Sequence, residues 1–108
     1  MTMPAGELWL ADIPFSAGQT TKVRPVLVLW LDGADVVVAA ITTALPRSIY
    51  DVALQDWAAS GLRKPSTVRL ARLDCLESKL LIARLGTVAP QDGDLIKQTW
   101  TQQVKPQF

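Results

Sequence analysis

Residues Thr21-Lys22-Val23-Arg24-Pro25-Val26-Leu27-Val28-Leu29-Trp30 (TKVRPVLVLW) set the reading of the whole chain. From Pro25 to Leu31 the run is almost wholly apolar, the pattern of a strand buried on both faces. Pro25 has no amide donor, a loss that the first residue of a strand tolerates. Leu31-Asp32-Gly33-Ala34-Asp35 follows with the Asp-Gly signal of a tight turn. Val36 to Thr43 (VVVAAITT) then reads as the returning strand of a hairpin.

Upstream, Gly6 to Ile13 is apolar-rich and closed by Pro14, which predicts a first strand. Pro14 to Lys22 (PFSAGQTTK) is a polar loop carrying Gly18. Downstream, Leu45-Pro46-Arg47-Ser48 breaks the hairpin strand, and Tyr50 to Leu54 predicts a fourth strand. Asp56 to Gly61 reads as a helical turn ended by glycine. Ser66 to Leu73 (STVRLARL) alternates apolar and basic residues with the period of a half-exposed strand. Leu80 to Val88 (LLIARLGTV) is another strand, after which Ala89-Pro90-Gln91-Asp92 opens a helix. Leu95, Ile96, Thr99, Trp100 and Gln103 then fall near helical spacing between Gly93 and Val104, before Pro106. The expected fold is mainly β: residues 1–108 form one domain, a small barrel with a short helical turn and a C-terminal α-helix. Trp9, Trp30, Trp57 and Trp100 are assigned to the core by default.

A chain of 108 residues supports one hydrophobic core. Its 49% hydrophobic and 19% charged residues fit a folded globular chain and exclude a disordered one. A net charge of +1 gives no global field for nucleic acid. Locally, however, Arg63, Lys64, Arg69 and Arg72 fall between Asp56 and Asp74 with no acidic residue among them. Such a cluster suits a phosphate-bearing ligand, and equally an ordinary solvated face. The lone Cys75 excludes an intramolecular disulfide and a cysteine-built zinc site, and is expected as a small packed side chain. No apolar run is long enough to span a bilayer and no signal-type start is seen, so a cytoplasmic location is expected.

The chain contains no histidine, which excludes Ser-His-Asp and Cys-His catalysis and a histidine-built metal centre. Neither G-x-x-x-x-G-K-[ST] nor G-x-G-x-x-G occurs, and no metal or cofactor is expected. The polar groups left in suggestive places are Arg24, Thr42, Thr43 and Arg69. Pro25 pushes Arg24 into an extended backbone, so its guanidinium is carried on a stiff base, and a fixed fork of donors suits a phosphate. Thr42 and Thr43 end the hairpin partner, where one hydroxyl could face the same mouth of the barrel. Electrostatic stabilisation beside a positioned donor would serve phosphoryl transfer. The same residues also fit an arginine stem covering apolar surface and an ordinary threonine strand end.

Taken together, GELWLADIPF (Gly6 to Phe15), KVRPVLVL (Lys22 to Leu29), VAAITT (Val38 to Thr43), KPSTVRL (Lys64 to Leu70) and LGTVAP (Leu85 to Pro90) resemble the MazF/PemK family of type II toxins, in order and over nearly the whole chain. The resemblance implies an SH3-like β-barrel, usually dimeric, with the helix packed beside it. It implies a metal-independent endoribonuclease that cuts single-stranded RNA at short motifs. On that resemblance the RNA 2′-hydroxyl would serve as nucleophile, leaving a 2′,3′-cyclic phosphate and a 5′-hydroxyl. Arg24 would then act in proton transfer and transition-state stabilisation, and Thr42 would hydrogen-bond the scissile phosphate. Gln19, Thr20, Thr21 and Lys22 would contact bases and phosphates from the loop before Arg24-Pro25, with Thr43, Lys64 and Arg69 as further substrate contacts. A cognate antitoxin with a disordered tail would cover Arg24. Two departures stand out. Ala17-Gly18-Gln19 replaces the Ser-Glu-Gln or His-Glu-Gln of many relatives, and Ala71 stands where relatives often carry an aspartate. A non-enzymatic, CcdB-type gyrase-binding toxin on the same barrel, or a catalytically weakened relative, is the alternative.

Overall fold

The computed structural model describes residues 5–14 and 21–108. Six strands form one antiparallel sheet: β1 (Glu7–Pro14), β2 (Thr21–Asp32), β3 (Asp35–Thr42), β4 (Asp51–Ala53), β5 (Thr67–Glu77) and β6 (Leu81–Thr87). Their order is β4-β5-β3-β2-β1-β6, followed in the chain by one helix, α1 (Pro90–Gln103). The hairpin read from the sequence is its centre. Asp32 pairs with Asp35, and Gly33 takes φ 60 as the first of two turn residues, a conformation that glycine alone adopts at little cost.

The centre of β2, Val26 to Val28, is buried on both faces, as the apolar run predicts, whereas Leu31 near its end is 42% exposed. Leu27 faces a core built with Leu8, Ile41, Val68, Leu70 and Ile96, on which Trp57 and Trp100 also pack. Val26 and Val28 face a second core with Ala11, Val36, Val38, Leu76 and Leu81, flanked by Trp9. Trp30 departs from the default: it is 44% exposed, with its ring edge-on to Trp100 at 5.7 Å. Cys75 also departs from expectation. Strand alternation gives the buried position to Leu76 and leaves Cys75 exposed.

β4 and β6 lie at opposite edges of this sheet, and the helical turn bridges them. Gly61 ends that turn at φ 94, with the Leu62 amide donating to the Trp57 carbonyl at 3.1 Å. Its backbone lies so close to β6 that a Cβ at Gly61 would collide with the Leu85 carbonyl oxygen, and one at Gly86 with that of Ser60. The fully buried Asp92, in the first turn of α1, accepts the Gln55 and Asp56 amides, each at 2.9 Å. A carboxylate there also meets the positive end of the helix dipole. The turn, the helix and β6 are thereby locked to one another.

β5 carries the irregularity that shapes the site. Ala40 of β3 pairs with Arg69, yet its neighbour Ala39 pairs with Leu73, so residues 70–72 bulge out of the ladder. A bulge bends its strand and re-aims the side chains beside it. The sequence pattern stops this strand at Leu73; the bulge lets it resume and run to Glu77.

Candidate active site

The strand registers place the chemistry. The β2–β3 ladder reaches Val26 opposite Ala40, and the same register carried two residues on sets Arg24 against Thr42. Thr42 pairs with Thr67 on β5, and Arg69, two residues along, pairs with Ala40. On the far side of β5, Arg69 pairs with Asp51 of β4. Because side chains two residues apart share a face, Arg24, Thr42 and Arg69 project from the same side of three adjacent strands.

They line one groove of about 550 Å³. Ala40 and Ala71 contribute small side chains to its lining. Five of the lining residues are cationic (Lys22, Arg24, Arg47, Arg69 and Arg72), and Asp74 is the one carboxylate among them. A concave surface with such an excess of positive charge concentrates a polyanion. Among the described residues the Arg24 guanidinium has no hydrogen-bonding or ion-pairing partner, and the residue is exposed. The half-buried Thr42 hydroxyl accepts the Ala44 amide at 3.2 Å, which leaves its own proton to donate.

Arg69 is held differently. Its Nε donates to Asp51 Oδ1 at 3.3 Å, while Asp51 Oδ2 accepts the Arg47 amide at 2.8 Å. The Asp51 side chain is 1% exposed and that of Arg69 22%. Elsewhere on the sheet, Arg84 Nε donates to Glu7 Oε2 at 2.7 Å and its Nη2 to Thr87 Oγ1 at 2.9 Å, while the Trp9 indole donates to Glu7 Oε1 at 3.0 Å. The Arg84 hydrogen bond holds the Glu7 carboxyl below the ordinary value of 4.5, against the opposing effect of burial.

Of the residues singled out in the sequence, the structure brings together Lys22, Arg24, Thr42 and Arg69. Thr43 and Lys64 are exposed and do not line the groove. Thr21 opens β2, while Gln19 and Thr20 lie outside the described residues. The basic cluster divides: Arg69 and Arg72 enter the groove, whereas Arg63 and Lys64 lie away from it. Sequence reasoning missed Arg47, Asp51 and Asp74. The only local sign was a charged residue in the otherwise apolar β4, and its partner is fixed by a register that the sequence does not state. No group of three or more metal-ligating side chains occurs among the described residues, and none of their helices is long and apolar enough to cross a membrane.

With this geometry in hand, comparison with known proteins is informative. Solved structures share the fold over almost the full chain. An endoribonuclease in complex with its cognate antitoxin, from a mycobacterial species, aligns with TM-score 0.77 and 21% identity, over 97% of this chain and 98% of that one. An endoribonuclease from mycobacterial species gives 0.75 and 20%, over 100% and 97%. The Mycobacterium tuberculosis toxin MazF-mt6 gives 0.65 and 22%, over 84% and 90%. No curated protein sequence matches. A family model matches residues 5–104, and the chain belongs to the PemK-like, MazF-like toxins of type II toxin–antitoxin systems.

Proposed function

We propose that this toxin is an endoribonuclease that cuts single-stranded RNA in the groove bearing Arg24, Thr42 and Arg69, and that it acts in the cytoplasm as a homodimer opposed by a cognate antitoxin. One observation carries the reading: three strands deliver two guanidinium groups and a donor hydroxyl to a single cationic groove. A phosphodiester is the ligand that such donors fit, and single-stranded RNA is the form that exposes both phosphates and base edges. Family membership and the endoribonuclease neighbours agree with it.

The RNA supplies its own nucleophile. Its 2′-oxygen attacks the adjacent phosphorus, the bond from phosphorus to the 5′-oxygen breaks, the 2′-hydroxyl proton is given up and the departing 5′-oxygen takes one. The products are a 2′,3′-cyclic phosphate and a 5′-hydroxyl, with no oxidation or added water. Arg24 stabilises the charge that builds on the phosphoryl oxygens, and Thr42 donates to one of them. No metal ion enters this scheme. The test is incubation of purified protein with a long single-stranded RNA in EDTA, followed by mapping of the new 5′ ends. Discrete cuts bearing 5′-hydroxyl groups, absent with Arg24→Ala, are expected; RNA left intact by the wild-type protein sinks the reading and favours the gyrase-binding alternative.

A further inference from the structure

The buried Asp51–Arg69 pair is placed where it can control the groove without lining it. Asp51 is not among the lining residues, but both of its oxygens hold segments that are. Oδ1 takes the Nε of Arg69 on β5, and Oδ2 takes the amide of Arg47 in the 43–50 segment between β3 and β4. A carboxylate this deeply buried is costly unless both its charge and its lone pairs are matched. Here one cation and one amide do the matching, so Asp51 fixes the two groups relative to each other. Nε is the one guanidinium nitrogen of Arg69 with a protein partner among the described residues, which leaves the terminal nitrogens for a ligand. Ser48, in the same segment, reinforces it: its carbonyl accepts the Asp51 amide at 3.1 Å and its hydroxyl the Tyr50 amide at 3.2 Å.

We propose that Asp51 is a positioning residue of the RNA site, aiming the Arg69 guanidinium into the groove and tying down the Arg47 segment that forms its rim. This rests on the reading of the groove as an RNA site. A residue acting through Arg69 has a signature: once Arg69 is gone, Asp51 has little left to position.

The test is a double-mutant cycle on binding of a single-stranded 2′-deoxy oligonucleotide, which cannot be cut. It is measured at about 0.2 M salt so that the net charge left by the substitutions is screened. Dissociation constants are referred to the binding-competent fraction found by titration, because a purely structural lesion lowers that fraction and leaves the constant unchanged. Asp51→Ala and Arg69→Ala should each weaken binding about tenfold, and the double variant should be within about twofold of the worse single one. Multiplication of the two losses, or wild-type binding by Asp51→Ala, overturns the proposal. Should Asp51→Ala not fold, Asp51→Asn keeps an acceptor of nearly the same shape. It should lose about threefold beside Arg69 and nothing beside Ala at that position; equal losses in both backgrounds, or none in either, overturn it. Cleavage of the ribose oligonucleotide is run alongside. A chain that binds with the expected coupling but does not cut sinks the endoribonuclease reading alone. One that cuts while the two losses multiply sinks the role of Asp51 alone.

Discussion

Two arginine–carboxylate pairs sit on this sheet among the described residues, and they are built in opposite ways. In Asp51–Arg69 the carboxylate is sealed at 1% exposure and the arginine reaches a groove; in Glu7–Arg84 the arginine is half exposed and its other side-chain bond goes to a neighbouring threonine. The first pair uses a buried acid to aim a cation. The second clips β1 to β6, its acid shared with the Trp9 indole. Arg24 is a third case, a groove cation with no such partner among the described residues. An arginine already committed to protein bonds is fixed but has fewer donors to offer. One without them meets a phosphate with its full fork. The state of each guanidinium therefore ranks its expected share in the chemistry.

The sharpest way to break that ranking is at its top. Arg24→Ala should lower kcat by about a hundredfold or more, the cost of losing one preorganised electrostatic donor in other enzymes. Arg84→Ala should leave kcat within about twofold of wild type. Equal losses from both would mean that the variants report damaged folding rather than chemistry, and melting curves would separate the cases. Thr42→Val, which keeps the shape and removes the donor, should cost about tenfold in kcat, the worth of one neutral-to-charged hydrogen bond. No loss there would remove the hydroxyl from the site.

The fold was legible because its strongest signals are local. Asp-Gly between two apolar runs fixes the hairpin, and Gly61 after a short polar stretch ends the helical turn. Arg24 and Thr42 were legible for the same reason, since they lie at the two open ends of that hairpin and its register almost brings them together. Arg47, Asp51 and Asp74 were not. Each reaches the site through a non-local step: the pairing of β4 with β5, the tether on the Arg47 amide, and the bulge at residues 70–72. Ala71 shows the consequence. Measured against the family pattern, Ala71 stands in place of a carboxylate, yet Asp74, beyond the bulge, lines the groove.

The clip between β1 and β6 gives a prediction of intermediate size that the groove pair should not share. The Glu7 carboxyl titrates below its ordinary value of 4.5 because Arg84 stabilises the ionised form. A depressed folded-state value means that the stabilisation is complete above the unfolded-state value and is lost as pH falls through the folded one. The melting temperature should therefore drop as pH falls below about 4.5, and Glu7→Gln should flatten that part of the curve. At neutral pH the same substitution should lower the melting temperature by a few degrees, since a partly exposed pair contributes about 1 kcal/mol or less. Cleavage measured well below the melting point should be unchanged, and a fall in kcat with Glu7→Gln would erase the distinction between clip and aiming pair.

Asp74 supplies the smallest expected effect and the finest test of the electrostatic ranking. It is a single negative charge in a lining with five positive ones, and among the described residues no hydrogen bond or ion pair engages its carboxylate. If it acts only through its field, Asp74→Asn lessens repulsion of the phosphates. Binding of single-stranded RNA should then tighten by about two- to fivefold at low salt and converge on wild type as salt is raised, because a charge open to solvent on one side is screened within about 10 Å. The cleavage motif should stay the same. A change of motif would instead show the carboxylate accepting from base edges, since a field that falls on phosphates is blind to sequence while a hydrogen bond to an amino or imino group is not. Weaker binding that persists at high salt would point the same way and would put Asp74, with Arg24, among the groups that touch the RNA.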